Sequence, residues 1–193
     1  MRLTVGALVV LLLALGLGSG LSWVSVRENQ GFGALTIGPW TAWPKAGSAG
    51  ADPYTKARVA VDGEVPLGAA EGIVFTARAD DAGVPLRSAC SYEITGLLPQ
   101  ARFWSLTAVD LEGRPLRSLL DAPAELLSTD VMWTSDQGIS ATVSATAMPG
   151  NWLPLTANTP FSLVLTLYDS QITSGSSVVS PVLPSITRRT CSA

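Results

Sequence analysis

The chain has 193 residues, of which 47% are hydrophobic and 14% charged, and its formal net charge is −3. No block of basic residues occurs, so a nucleic-acid-binding role lacks electrostatic support. Histidine is absent from the sequence, which excludes catalysis, metal ligation and pH sensing by that side chain. We therefore expect no metal site, no cofactor and no nucleic-acid partner.

The N-terminal segment accounts for part of the low charge, because Arg2 is the only charged residue among residues 1–26. The stretch from Leu3 to Trp23 is almost wholly apolar, and a helix of this length spans roughly 31 Å, about the hydrocarbon thickness of a bilayer. A cleaved signal peptide is the alternative, although residues 16–21 contain no clean A-x-A cleavage site. With Arg2 kept in the cytoplasm, we predict a single-pass signal-anchor in the inner membrane and a C-terminal domain in the periplasm.

Residues 27–51 are rich in glycine and proline and show no sustained periodicity, which predicts a linker. Trp40 and Trp43 are unusual for a tether; they either dock on the domain or lie at the membrane surface, and a sugar-stacking pair is the alternative. Asp52 followed by Pro53 is a helix-start signal, and the helix is expected to end near Gly63.

The remaining sequence, residues 52–193, is typical of a mainly β domain. The run Phe103–Asp110 alternates with period two and predicts a strand at the centre of a sheet, and Phe161–Tyr168 alternates in the same way. Residues 135–138 are a hairpin signal, 116–127 could form a short helix, and 148–154 are expected to be a loop. About seven short strands with one or two short helices favour an antiparallel β-sandwich or a jelly-roll-like domain.

The two cysteines, Cys90 and Cys191, are far apart in sequence and form no redox or zinc motif. Export to an oxidising compartment favours a disulfide between them, which would close a loop of about 100 residues and tie the C-terminal tail to the domain. A catalytic thiol is the alternative, but no histidine is present to activate it. We predict the disulfide and assign no catalytic residue.

Several motifs together are similar to a known family: Asp52-Pro53-Tyr54, F-W-S-L-T at residues 103–107, N-W-L-P at 151–154, and Phe161-Ser162-Leu163. In this order they resemble the bacterial domain of unknown function 1214 family in its short, membrane-anchored form, over about residues 52–190. The resemblance implies a β-sandwich-like domain and a candidate partner carrying a second uncharacterised domain, number 1254, but no established catalytic residue. The family's R-L-Y-x-P run is replaced here by T-L-Y-D-S at residues 166–170.

Three functions stay open from the sequence. The first is a membrane-tethered envelope module that binds another protein or has a structural role. The second is a β-sandwich that binds a glycan or small ligand through stacking tryptophans, including Trp133, and nearby polar groups. Its candidate ligand-binding residues are Glu71, Trp104, Asp110, Asn151 and Trp152. The third is a hydrolase with two carboxylates drawn from Glu71, Glu93, Asp80, Asp81 and Asp110.

Overall fold

The computed structural model describes residues 2–28, 33–63, 65–68, 70–116, 125–156, 159–170, 172 and 181–191. Its first element is the helix α1, Arg2–Glu28. Within it, Thr4–Val24 is long and apolar enough to cross a membrane, and its side chains are not covered by the rest of the chain. The helix therefore has the composition of a single membrane span or of a signal sequence, as predicted.

The second helix, α2, runs from Pro53 to Asp62. The carboxylate of Asp52 caps it by accepting hydrogen bonds from the backbone N–H groups of Tyr54 and Thr55, at 2.9 and 3.0 Å. Gly63 ends the helix with φ of 66°, a left-handed conformation that glycine adopts without a steric cost. Both predicted ends of this helix are confirmed.

The described residues form ten strands: β1 Leu35–Ile37, β2 Trp40–Ala42, β3 Gly72–Ala77, β4 Cys90–Gly96, β5 Phe103–Val109, β6 Glu125–Leu127, β7 Ile139–Ser144, β8 Asn151–Pro154, β9 Ser162–Tyr168 and β10 Ser185–Cys191. Six of them make one sheet in the order β1-β2-β3-β9-β5-β6. The other four make a second sheet in the order β10-β4-β7-β8. All pairings are antiparallel except that of β7 with β8, which is parallel.

The two sheets face each other across one apolar core. In β5 and β9 alternate residues point inward, so Trp104 and Leu106 are buried beside Leu163 and Leu165. The second sheet contributes residues such as Tyr92 to the same core cluster. The edge strands β6 and β8 also contact each other. The prediction of a β-sandwich is confirmed, with mixed rather than purely antiparallel pairing in the smaller sheet.

Three local predictions are wrong. Residues 35–42, expected to be linker, form β1 and β2 and extend the larger sheet. Residues 151–154, expected to be loop, form the edge strand β8, where Pro154 is tolerated because an edge strand needs fewer ladder hydrogen bonds. Residues 125–127 are a strand rather than the end of a helix; the part of the predicted helix at 117–124 lies outside the described residues.

Strands β2 and β10 are fastened to the sandwich by a polar and a covalent contact. Cys191 in β10 is bonded to Cys90 in β4, which confirms the predicted disulfide. The indole of Trp40 in β2 is fully buried and donates to the carbonyl of Pro184, just before β10, at 2.7 Å. Trp40 thus belongs to the core, whereas the ring of Trp43 lies under the guanidinium of Arg58, whose Cζ is 3.4 Å from its centroid.

Candidate functional site

A groove of about 360 Å³ opens at one end of the sandwich, where β4 ends and β5 and β7 begin. We call it the Trp groove and define it by its lining residues, Leu98, Pro99, Gln100, Ala101, Trp104, Trp133, Thr134 and Gln137. None of these side chains carries a charge. One wall is the extended segment 98–101, and the opposite wall is the turn that leads into β7.

Two tryptophan rings meet in the groove. Trp104 points inward from β5 and is only 3% exposed, whereas Trp133 is 49% exposed. The ring of one stands edge-on to the other, with centroids 5.9 Å apart and planes at 84°. Because Trp104 is so deeply buried, only Trp133 presents a ring face of useful size to solvent.

The indole N–H of Trp104 differs from those of Trp40 and Trp152 in its hydrogen bonding. Trp40 donates to Pro184, and Trp152 donates to the carbonyl and hydroxyl oxygens of Ser144, both at 3.1 Å. Among the described residues, Nε1 of Trp104 has no hydrogen-bond partner although it is buried. Buried polar groups in proteins are nearly always paired, so an unpaired donor beside a groove indicates a position that a ligand can satisfy.

The wall that carries Trp133 is held by Asn151. Its Oδ1 accepts a hydrogen bond from the N–H of Met132 at 2.7 Å, and its Nδ2 donates to the carbonyls of Met132 and Ser140 at 2.8 and 3.0 Å. The amide side chain is 9% exposed and sits at the start of β8. Asn151 therefore fixes the residue next to Trp133 and acts on the groove indirectly.

The turn at 134–138 is also tightly packed. The N–H of Thr134 donates to the carbonyl of Gly138 at 2.9 Å, and a Cβ at Gly138 would lie 2.8 Å from the carbonyl oxygen of Gly96. A hydrogen bond from the Thr134 hydroxyl lowers the pKa of Asp136. Gln137 adopts a left-handed backbone with φ of 64°, which a non-glycine residue holds only where its surroundings impose it. The turn predicted at 135–138 is confirmed here, but it joins β7 to an isolated antiparallel bridge at Trp133 and not to a second strand.

The other predicted ligand-binding residues lie elsewhere or have structural partners. Glu71 precedes β3 and accepts a hydrogen bond from the N–H of Gly68 at 3.0 Å. Asp110 lies at the far end of β5 from Trp104 and pairs with Arg114 at 2.7 Å. Burial alone would raise the pKa of Asp110, but the hydrogen bonds and charge of Arg114 and the N–H of Glu112 hold it below its ordinary value. Of the five predicted residues, Trp104 alone lines the groove, and their role in ligand binding stays a prediction.

The carboxylates considered for hydrolysis are engaged in fastening strands and turns. Asp80 is 3% exposed, accepts from the N–H groups of Ala82 and Val84 and pairs with Arg188 of β10 at 3.0 Å. Asp81 accepts from the N–H of Ile186 at 2.8 Å, and Glu93 accepts from Arg189. These contacts attach the terminal strand to the sheet, which explains why the acids are present.

Four large apolar side chains are exposed on the groove-lining segments or on segments that contact them. Leu97, Met132, Trp133 and Met148 are between 45% and 62% exposed, and we call them together the Trp133 surface. Leu97 adjoins the wall at 98–101, and the methyl group of Met132 lies 4.0 Å from the position of a Cβ at Gly150.

Sequence reasoning found the two tryptophans but missed the polar lining. Gln100, Thr134 and Gln137 are ordinary loop residues in sequence, and only the packing of two loops that are distant in sequence brings them together. The signal available in the sequence was the position of Trp133 next to the turn predicted at 135–138.

A family model described as "Protein of unknown function (DUF1214)" matches residues 71–172, which confirms the resemblance seen in the motifs. The crystal structure of the VPA0106 protein from Vibrio parahaemolyticus is similar to this chain with a TM-score of 0.58 and 20% identity, over 73% of this chain and 36% of that one. At this identity the likeness shows a shared fold. An uncharacterised protein from Burkholderia cenocepacia is matched at a TM-score of 0.39 and 16% identity, over 91% of this chain and 51% of that one. No curated protein matches the chain.

Proposed function

This chain belongs to the DUF1214 family, and we propose that it acts as a membrane-tethered envelope module that binds another protein. In this proposal α1 is an uncleaved anchor in the inner membrane, and the β-sandwich stands in the periplasm. The Trp133 surface is the contact site for the partner.

The observation that carries the proposal is the exposure of four large apolar side chains on the segments that line the groove or contact those segments. Contiguous exposed apolar surface is rare on monomeric domains and marks sites of interaction. Tryptophan and methionine are enriched in the centres of protein interfaces, and methionine adapts its shape to the partner. Trp133 is thus the best candidate for a residue whose loss would remove most of the binding energy.

The placement in the periplasm is supported by two features of the chain. The stretch Thr4–Val24 can span a membrane, and Cys90 is bonded to Cys191, a bond that persists in oxidising compartments. A reporter enzyme that is active only in the periplasm should be active when fused after Ala193. Activity of a cytoplasmic reporter alone at that position would contradict the topology, and an intact Met1 on the mature protein would distinguish the anchor from a cleaved signal.

The identity of the partner is proposed from the family resemblance. The resemblance implies an association with a second uncharacterised domain family, number 1254, and we propose a protein with such a domain as the first candidate. The alternative of glycan binding would need stacking rings, and the groove presents only one, since Trp104 is 3% exposed. The hydrolase alternative draws no support from the five carboxylates, because each accepts hydrogen bonds that hold the fold.

Affinity purification with matched variants tests the proposal. The full-length protein is solubilised in detergent from its native envelope as wild type, as Trp133→Ser and as Leu111→Ser, and co-purifying proteins are quantified by mass spectrometry. Leu111 is 59% exposed at the opposite end of β5, so its replacement removes a similar exposed apolar side chain away from the site. A partner recovered with the wild type and Leu111→Ser but lost with Trp133→Ser supports the proposal. Equal recovery with all three proteins would contradict it.

A further inference from the structure

We propose that the Trp groove binds an extended, uncharged, proline-containing peptide segment, one of whose carbonyl oxygens accepts a hydrogen bond from Nε1 of Trp104. The inference rests on the proposed function, because the segment belongs to the partner protein. It adds the chemistry of the bound segment and the residues that recognise it.

The charge of the lining selects the class of ligand. The eight residues of the Trp groove are apolar or neutral polar, with amide side chains on Gln100 and Gln137 and a hydroxyl on Thr134. A charged group that entered would lose its hydration without finding an opposite charge on these side chains, which is unfavourable. The groove therefore complements an uncharged segment with both apolar side chains and hydrogen-bonding groups.

The unpaired indole is a donor that a ligand in the groove could satisfy. Nε1 of Trp104 is buried and has no partner among the described residues, whereas the indoles of Trp40 and Trp152 are paired. A peptide carbonyl that reached Nε1 from the groove, alongside the exposed ring of Trp133, would supply the missing acceptor.

The opposite wall offers backbone groups as well. Among the described residues, no backbone carbonyl pairs with the N–H groups of Leu98, Gln100 or Ala101. An extended peptide carries carbonyl groups at a regular spacing that suits such a wall, as in other modes of peptide recognition by exposed backbone. Proline fits the apolar side of the groove, since it has no N–H to leave unpaired, and aromatic-lined grooves are known receptors for proline-rich segments.

Selection from a random peptide library identifies the segment even while the partner protein is unidentified. Phage-displayed dodecapeptides are selected in parallel on the full-length chain and on its Trp133→Ala variant, both in nanodiscs. We expect the enriched peptides to share an uncharged core that contains proline. Enrichment of charged cores, or the same peptides on wild type and Trp133→Ala, would overturn the inference.

The most enriched peptide is then titrated into the full-length chain labelled with ¹⁵N at its indoles, and the indole N–H signals are followed by NMR. The Trp104 signal, assigned with Trp104→Phe, should move downfield as its proton becomes hydrogen-bonded, while the Trp40 signal stays in place. Affinity should fall at least tenfold in Trp104→Phe, which keeps an aromatic ring but lacks the donor. An unmoved Trp104 signal would overturn the inference, as would a response to chitotetraose but not to the peptide, which would assign the groove to a glycan.

The outcome separates the inference from the function on which it rests. If Trp133-dependent co-purification succeeds and no uncharged peptide is enriched, the partner proposal stands and the peptide assignment is wrong. If the peptide binds with the expected indole shift but no partner depends on Trp133, the groove chemistry stands and the proposed partner function is wrong.

Discussion

Replacement of Asn151 should show how the wall of the groove is built. Asn151→Ala removes three hydrogen bonds, to the N–H and carbonyl of Met132 and to the carbonyl of Ser140. At about 0.5–1.5 kcal/mol for each bond, the loss in unfolding free energy is about 1.5–4.5 kcal/mol. For a domain of this size that lowers Tm by roughly 3–18 °C.

Asn151→Asp makes a sharper test because the shape is preserved. The acid keeps the acceptor that faces the N–H of Met132, but it directs a second oxygen at two carbonyls where the amide had a donor. Burial against these carbonyls should raise the pKa of the new carboxyl above its unfolded value of about 3.9. A carboxyl whose folded-state pKa is raised contributes stability at pH values below its unfolded-state pKa, and that contribution is lost as pH rises through the folded-state pKa. Relative to Asn151→Ala, Asn151→Asp should therefore be least stable at neutral pH and regain stability towards acid pH.

Thermal melting followed by near-ultraviolet circular dichroism at pH 7 and pH 4 measures both effects. Gln100→Glu is the matched control, since it makes the same chemical change in an exposed side chain and should alter Tm little. If Asn151→Ala melted like the wild type, or if Asn151→Asp were as stable as the wild type at pH 7, the assigned role of the amide would be wrong.

The remaining predictions concern the disulfide, two indole side chains and one carboxylate. Cys191→Ser should lower the free energy of unfolding in denaturant by up to about 4.7 kcal/mol, and reductant should then have no further effect; an unchanged midpoint would contradict this. Trp40→Phe leaves the carbonyl of Pro184 without its donor and should lower the free energy of unfolding by about 1–3 kcal/mol beyond the effect of the smaller ring. Trp104→Phe removes an unpaired donor and should lower the free energy of unfolding by less, which calorimetry of the two variants can compare. Because the pKa of Asp110 is lowered in the folded state, its carboxylate stabilises the fold at pH values above the ordinary pKa of 3.8, and this stabilisation is lost as pH falls through the folded-state pKa. The Tm of Asp110→Asn should therefore depend less on acid pH than that of the wild type. Equal dependence of Tm on acid pH in the two proteins would refute this.

The larger features of the fold followed from local patterns in the sequence. The apolar run before Trp23, the cap at Asp52 and the alternation of residues 103–110 each depend on neighbours in sequence, and all three are confirmed. The disulfide followed from the inferred compartment and the count of two cysteines. These predictions succeeded because the physical cause of each lies within a few residues or in composition.

The failures have the opposite origin. Residues 35–42 look like a linker because β1 and β2 have three residues each, and they are strands only through pairing with β3. N-W-L-P at 151–154 is a strand because it pairs in parallel with β7. The nearby prolines make the same residues look like a loop in the sequence. The polar lining of the groove could not be predicted, because segments 98–101 and 133–137 meet only in the folded sandwich.

Site-specific photo-cross-linking in living cells tests most directly whether this end of the sandwich binds a protein. Benzoylphenylalanine is incorporated in place of Trp133 in the full-length chain in its native host, with Leu111 replaced in a parallel strain, and both are irradiated. The account predicts a discrete adduct with one envelope protein from position 133 and none from position 111. No adduct from position 133, or the same adducts from both positions, would contradict it.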